Sequence, residues 1–144
     1  MKARPCRKRS IVGKISAEAA LAAARMGLSV LLTAIDLDKL AAMPCSPSIG
    51  GMAKGQLVKE LDALGGEMAK ITDKTAISFR TLNTKKGPAV HSSRTQNDKI
   101  RYHTAMKAVI ETQPNLDLKQ TMAERIVVEG KRVAGVEDHI WVVY

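Results

Sequence analysis

The segment between residues 11 and 34 constrains the fold most, because two apolar runs flank a stretch of nearly pure helix formers. Ser10 to Gly13 predicts a first strand that ends in a glycine turn. Ala17 to Met26 (AEAALAAARM) predicts a helix that stops at Gly27, and its small side chains allow it to lie close to a sheet. Ser29 to Ala34 (SVLLTA) predicts a buried strand. The segment therefore predicts a βαβ unit and an α/β fold.

The middle of the chain has weaker patterns. Residues 35–55 are rich in Pro, Gly, Ser and Met and predict a structured loop without a helix. Lys54 to Leu64 has apolar residues at helical spacing. Residues 67–92 look irregular, apart from a short possible strand at Ala76–Arg80. Ser93 to Thr112 predicts one long amphipathic helix that Pro114 terminates.

The last thirty residues predict strands. Leu116 to Gln120 alternates as a strand does. Ile126–Glu129 and Arg132–Val136 flank Gly130-Lys131, which predicts a β-hairpin with a two-residue turn. Residues 140–144 are apolar and strand-like. The sequence thus predicts a β-hairpin or meander at the C-terminal end.

Charge and cysteine content limit the function classes. The chain of 144 residues carries a net charge of +9, which favours polyanionic partners, nucleic acid first. Residues 1–9 are basic and predict a disordered start, which leaves residues 10–144 as one domain. Cys6 and Cys45 are too few for a disulfide framework, and no apolar run reaches the roughly 18 residues of a membrane helix. We expect a cytoplasmic protein with no membrane association.

A βαβ start invites the dinucleotide fingerprint G-x-G-x-x-G, whose glycines admit a pyrophosphate at the helix N-terminus. In the window Ile11–Ser16 only Gly13 is present, with Ser16 at the third glycine position and Lys14 as an available charge. Plain strand–turn–helix packing and surviving nucleotide binding both remain open on this window. Asp36 and Asp38 follow the second predicted strand, where a carboxylate either binds ribose hydroxyls or is a solvated loop acid.

Several longer segments form a collinear set of motifs from about Glu18 to Asp138. The segments are Glu18–Gly27, Met43–Gly51, Lys54–Val58, Glu60–Gly66, Phe79-Arg80, Leu82-Asn83, Lys86–Val90, Arg94–Asp98 with Tyr102, Gln113–Leu116 and Val133–Val136. The most specific of them are a Cys-x-Pro-x-Ile-Gly-Gly loop and a Lys-Gly-Pro-Ala-Val block. Together they resemble the GidA/MnmG family of FAD-dependent tRNA-uridine-modifying enzymes.

The resemblance implies a partial Rossmann-like, glutathione-reductase-like FAD-binding domain. It implies an enzyme that works with an MnmE-type GTPase and adds a (carboxymethyl)aminomethyl group to C5 of the wobble uridine of tRNA. Methylenetetrahydrofolate supplies the carbon in that family, NADH reduces the flavin, and the enzymes are homodimers. This chain corresponds to about the first quarter of a family member, so the resemblance implies an N-terminal portion that is not catalytic alone.

Individual residues acquire expected roles from the same resemblance. Gly13 and Ser16 fall at the FAD pyrophosphate, with Lys14 beside them, and Ala123 falls where the family contacts FAD. Cys45 matches a cysteine linked to activity and is the candidate catalytic residue; the alternative is a small buried hydrophobe. Three charged residues either line the tRNA or flavin side or are ordinary solvated charges: Lys54, Lys86 and Arg94.

The chain also departs from the family pattern. The glycine-rich loop is reduced to Ile-Val-Gly-Lys-Ile-Ser, basic residues precede it, His91 stands where the family usually has Arg, and Trp141 replaces a small residue. Two alternatives to the enzyme therefore stay open. One is a non-catalytic basic fragment that binds RNA or a partner protein, and the other is a non-functional remnant.

Overall fold

A computed structural model describes residues 9–12, 17–140 and 142–143. These residues form two compact units. Unit 1 contains Met1–Leu40 and Ile110–Tyr144, and unit 2 contains Ala41–Val109. In chain order the strands and α-helices are β1 (Arg9–Val12), α1 (Ala17–Arg25), β2 (Ser29–Ala34), β3 (Ser48–Gly50), α2 (Lys54–Ala63), α3 (Met68–Thr75), β4 (Ala76–Leu82), β5 (Ser92–Asn97), α4 (Lys99–Thr112), β6 (Leu116–Gln120), β7 (Ala123–Glu129) and β8 (Arg132–Asp138).

Unit 1 contains the predicted βαβ unit. Its sheet has the strand order β1–β2–β6, and both pairings are parallel. Val30 and Leu32 of β2 are buried, as are Ala20, Leu21 and Ala24 of α1. Because the alanine side chains on this face of α1 are small, the helix packs directly against the sheet. The prediction of an α/β, Rossmann-like arrangement is confirmed, and β2 has the predicted bounds.

The hairpin of unit 1 also matches its prediction. β7 and β8 pair antiparallel across Gly130-Lys131, where Gly130 has a φ of +62°. Beyond β8, Asp138 accepts hydrogen bonds from the backbone N–H groups of Ile140 and Val142, at 3.0 Å each. Residues 140–144 were expected to form a strand. Among those of them that the structure describes, only Val143 pairs, in an isolated bridge to Glu137.

Unit 2 is built around an antiparallel sheet with the order β3–β5–β4. β3 lies so close to β5 that an added Cβ at Gly50 would approach the Ser93 carbonyl oxygen to 2.3 Å. Gly50 also has a φ of +90°, which favours glycine. At the first turn of α2, an added Cβ on Gly55 would lie 2.7 Å from the Ser92 hydroxyl. Two glycines of the Met43–Gly55 segment are therefore required by close packing against β5.

Three predictions for the middle of the chain differ from the structure. The long helix from Ser93 to Thr112 is a strand followed by a shorter helix, α4. The stretch at residues 67–92 contains α3, which was not predicted, whereas β4 confirms the short strand predicted at Ala76–Arg80. The loop at residues 35–55 contains β3 in unit 2 and a 3₁₀ turn in unit 1. The helix at Lys54 is confirmed as α2, but Leu57 within it and Leu64 just after it are exposed.

The error at Ser93 has a physical reason. β5 has the sequence SSRTQN, which lacks the apolar alternation of a half-buried strand. Its buried residues are polar and satisfy one another: the Asn97 amide donates to the Thr72 carbonyl at 2.9 Å and to the Thr75 hydroxyl at 3.1 Å, and accepts from the Thr95 hydroxyl at 2.8 Å. Asp98 then accepts from two N–H groups of α4 and starts that helix.

The membrane prediction, the basic start and the single-domain assignment are tested only in part. No helix among the described residues is long and apolar enough to cross a membrane. Of the basic start at residues 1–9, only Arg9 is among the described residues, as the first residue of β1. The assignment of residues 10–144 to a single FAD-binding domain stays a prediction, because compact units are not a test of independent folding.

Candidate functional site

The carboxyl ends of β2 and β6 bring several predicted site residues to one edge of the parallel sheet. The backbone N–H of Thr121, just after β6, donates to the Ala34 carbonyl at the end of β2 at 3.0 Å. Asp36 follows β2 by two residues, and Ala123 follows β6 by three. In open α/β sheets, ligands bind in the crevice outside these carboxyl ends. Asp36 and Ala123 therefore lie where a dinucleotide is expected.

Asp36 is held in a defined position at this edge. One carboxylate oxygen accepts the backbone N–H of Asp38 at 2.9 Å, which opens the 3₁₀ turn. The other oxygen forms an ion pair with the exposed Lys39 ammonium at 3.1 Å. The side chain is 37% exposed, and a carboxylate oxygen accepts hydrogen bonds, so the group is accessible to a ribose hydroxyl. The residues present therefore fit the ribose of an adenine dinucleotide.

The predicted pyrophosphate residues, Gly13, Lys14 and Ser16, lie outside the described residues. The chain order fixes only that they follow β1 and precede α1. Ala123 is exposed at the start of β7, in register with Asp138. Its contact with FAD stays a prediction, as do the roles of the three loop residues.

Cys45 lies in a loop that unit 2 holds in place. Its thiol is free and exposed, so the alternative of a buried hydrophobe is excluded. Two residues later the Pro47 carbonyl accepts the backbone N–H of Asn97 at 2.8 Å, and the Ser46 hydroxyl accepts the N–H of Ser48 at 3.2 Å. The thiol is thus presented to solvent from a segment anchored on β5.

The Lys-Gly-Pro-Ala-Val block forms a closed loop between β4 and β5. The Asn83 side chain donates to the Val90 carbonyl at 3.1 Å, and the His91 Nε2 lies 3.1 Å from the Lys86 carbonyl. Gly87 and Pro88 start a short 3₁₀ turn within it. His91, which departs from the family pattern, thus acts as a brace for this loop. Lys54 lies elsewhere in the unit, at the start of α2.

The exposed face of the unit 2 sheet carries an arginine that the sequence alone did not identify. Arg80 of β4 is directly opposite Arg94 of β5 in the strand register. The two side chains line a depression of about 280 Å³ together with Ser78, Leu82 and Gln96. Once the strand at residues 92–97 is known, alternation along both strands places these residues on one face. Because the sequence predicted a helix from Ser93, the strand alternation that places these residues on one face was not recognised.

Comparisons with known proteins extend across both units. The family model described as glucose inhibited division protein A matches residues 13–143. The tRNA uridine 5-carboxymethylaminomethyl modification enzyme MnmG of Syntrophobacter fumaroxidans is 61% identical over 132 residues, which are 92% of this chain and 21% of that enzyme. The chain therefore spans about a fifth of the length of the curated relatives it matches.

Solved structures agree with the sequence comparison. GidA of Aquifex aeolicus superposes with a TM-score of 0.90 at 46% identity, over 96% of this chain and 23% of that one. PqsL of Pseudomonas aeruginosa, a probable FAD-dependent monooxygenase, superposes with a TM-score of 0.60 at 12% identity, over 95% of this chain and 39% of that one, which shows a shared fold alone. With a matching family model over nearly its whole length, this chain belongs to the glucose inhibited division protein A family.

Proposed function

We propose that this chain is the FAD-binding N-terminal portion of an enzyme that adds a (carboxymethyl)aminomethyl group to C5 of the wobble uridine of tRNA. Support comes from family membership and from the name of the relative that is 61% identical. Since the chain spans about a fifth of that relative, the complete reaction belongs to the longer protein, and we expect no tRNA modification from these 144 residues alone.

The observation that carries the FAD assignment is the position of Asp36 at the carboxyl edge of the parallel sheet. Its carboxylate is anchored by the Asp38 N–H and can accept a ribose hydroxyl of the ADP half. Gly13, Lys14 and Ser16 would receive the pyrophosphate, and Ala123 would contact the dinucleotide through its backbone. When bound, FAD supplies two-electron redox chemistry to the enzyme.

The remaining assignments follow the family resemblance. Cys45 is the candidate catalytic residue, and its exposure makes the thiol accessible to a substrate. We assign NADH as reductant, methylenetetrahydrofolate as carbon donor, an MnmE-type GTPase as partner, and a homodimer as the assembly of the longer enzyme. Since the substrate is tRNA, we propose that the enzyme acts in the cytoplasm.

A fluorescence titration tests the FAD assignment. FAD emission should change saturably as the purified chain is added, and ADP should compete whereas FMN should not, because Asp36 contacts the adenosine side. Asp36→Ala should weaken FAD binding roughly tenfold or more, since a hydrogen bond to a charged group is lost. Asp38→Ala removes a carboxylate two residues away and is the matched control.

Two results would contradict the assignment. One is the absence of saturable FAD binding by the folded chain. The other is equal weakening by Asp36→Ala and Asp38→Ala, since general charge near the edge would then explain the effect.

A second candidate function is a non-catalytic RNA-binding module. The observation that favours it is the arginine face of unit 2, since Arg80 and Arg94 lie on a surface whose lining contains no acidic residue. RNA binding that persists without any FAD binding would support this candidate over the first.

A further inference from the structure

Arg80 and Arg94 are direct cross-strand neighbours in the antiparallel pairing of β4 and β5. Directly opposed residues in such a pair have Cβ atoms about 4.5–5.5 Å apart, so two like charges there destabilise the sheet. An anion that binds between the two guanidinium groups reduces the repulsion between them. The like-charged pair thus indicates that these arginines bind an anionic ligand and do not stabilise the sheet.

The arginine from β5 is oriented by neighbouring polar groups. An Nη atom of Arg94 donates to the Ser48 hydroxyl at 3.1 Å, and that hydroxyl donates to the Gln96 side-chain oxygen at 3.0 Å. A guanidinium group has five N–H donors, so most of those on Arg94 remain for a ligand. This chain of hydrogen bonds fixes the guanidinium without neutralising it.

Among the described residues, none of those that line this depression balances the charge. The depression is lined by Ser78, Arg80, Leu82, Arg94 and Gln96, none of which is acidic. Within the described part of the chain, neither arginine forms an ion pair. The Arg80 side chain likewise has no hydrogen-bond partner there. The two arginines therefore lie opposite each other on neighbouring strands, and a hydroxyl and an amide lie beside Arg94.

We propose that Arg80 and Arg94 form a phosphate-binding site on the exposed face of the β3–β5–β4 sheet. Each guanidinium presents a planar fork of donors that matches the oxygens of a phosphate. Inorganic phosphate has four oxygens, enough for two forks, and the two non-bridging oxygens of an RNA phosphodiester can each accept from one guanidinium group. The phosphate comes either from the backbone of an RNA strand or from free phosphate. The site is independent of the proposed FAD binding; it rests on the RNA-binding candidate stated above and deepens it by naming phosphate as the ligand of the same arginine face.

Two binding measurements on the full chain distinguish these sources. The first is fluorescence anisotropy of a labelled single-stranded RNA oligonucleotide at several salt concentrations. The second is the thermal unfolding midpoint with inorganic phosphate, compared with chloride at equal ionic strength. The test variant is Arg80→Gln with Arg94→Gln. The matched control, Lys131→Gln with Arg132→Gln at the β7–β8 turn, removes the same charge. Arg80→Lys with Arg94→Lys keeps the charge without the forks.

For an RNA strand, the glutamine variant should weaken RNA binding at least about tenfold and flatten its salt dependence, whereas the control should change it little. For free phosphate, phosphate should raise the unfolding midpoint of the wild type but not of the glutamine variant. The lysine variant should be intermediate in whichever measurement responds. Either pattern supports the site.

The ligand-free proteins give an independent readout of folding. The glutamine variant should unfold at a higher temperature than the wild type at low salt, because a like-charge pair has been removed. If that variant does not fold, Arg80→Gln alone replaces it, since the Arg80 side chain bonds to no other described residue. The site is overturned if the wild type binds neither ligand, or if the control pair loses as much as the arginine pair in both measurements.

Discussion

The two units hold their sheets together by different means. In unit 1, the middle strand β2 buries the apolar side chains of Val30 and Leu32, and buried alanines of α1 pack on the same sheet. In unit 2, the middle strand β5 is buried through Ser92, Thr95 and Asn97, which are satisfied by hydrogen bonds. An apolar strand tolerates any neighbour of suitable volume, whereas a polar one requires specific partners. The stability of unit 2 should therefore be more sensitive than that of unit 1 to replacement of buried polar residues.

The largest effect on this comparison is expected from Asn97→Ala. The change removes three buried hydrogen bonds and deprives the Thr72 carbonyl of the Asn97 amide. The hydroxyls of Thr75 and Thr95 keep the carbonyls of Ile71 and Ile49 as partners. We expect a cost of about 2–4 kcal/mol in the free energy of unfolding. Urea denaturation measures it. Gln96→Ala, on the exposed face of the same strand, should cost below about 0.5 kcal/mol. Similar losses for the two variants would show that the polar network does not hold β5.

Gly50→Ala tests the close approach of β3 to β5. The added methyl would meet the Ser93 carbonyl at 2.3 Å in a backbone conformation with a φ of +90°. We expect a loss of about 2–3 kcal/mol from strain and overlap. Gly51→Ala is the matched control, because Gly51 has a φ of +103° but nothing lies within 4 Å of its Cβ position. It should cost only the backbone strain, about 1 kcal/mol. Equal midpoints in thermal unfolding would contradict the packing requirement.

A smaller effect is expected at the junction between β5 and α4. The Asp98 carboxylate accepts the N–H groups of Ile100 at 2.9 Å and Arg101 at 3.0 Å. Asp98→Ala should destabilise the chain by about 1 kcal/mol, and Asp98→Ser should restore most of that loss. Chemical denaturation of the three proteins compares them. No difference between alanine and serine would show that the cap does not fix the start of α4.

The smallest effect concerns Asp138 in unit 1. Burial alone would raise the pKa of this carboxyl. However, hydrogen bonds from the Val142 N–H, the Thr121 hydroxyl and the Ile140 N–H, with the charge of Lys119, lower the pKa of Asp138 below its ordinary value. The ionised form therefore stabilises the folded chain above the unfolded-state pKa, near 4, and this contribution is lost as the pH falls through the folded-state value.

The pH dependence of Asp138→Asn checks this assignment. The gap in unfolding midpoint between wild type and variant should be constant near neutral pH and should close in acid. Thr121→Val removes one of the three hydrogen bonds and should give a smaller gap with the same direction. A gap that stays constant into acid would contradict a lowered pKa.

Sequence patterns predicted unit 1 well because its elements follow apolar periodicity. β2 and β6 were predicted with their observed bounds, and the hairpin followed from Gly130-Lys131. Unit 2 was missed where periodicity is absent: β5 consists of polar residues whose burial depends on partners distant in the chain, such as Thr72. The arginine pair was missed with it, since a cross-strand pair exists only once the register is known. The segments most specific to the family nevertheless lie in unit 2, so motif and periodicity gave complementary information.

We propose that the two units carry separate binding functions, and a crossed titration tests this separation most directly. FAD and labelled single-stranded RNA are each titrated with the wild type, with Asp36→Ala, and with Arg80→Gln combined with Arg94→Gln. Asp36→Ala should weaken FAD binding roughly tenfold or more and leave RNA binding unchanged, while the arginine variant should do the reverse. The separation of the two sites is contradicted if each variant weakens the binding of both ligands equally, or if neither variant changes the binding of either ligand.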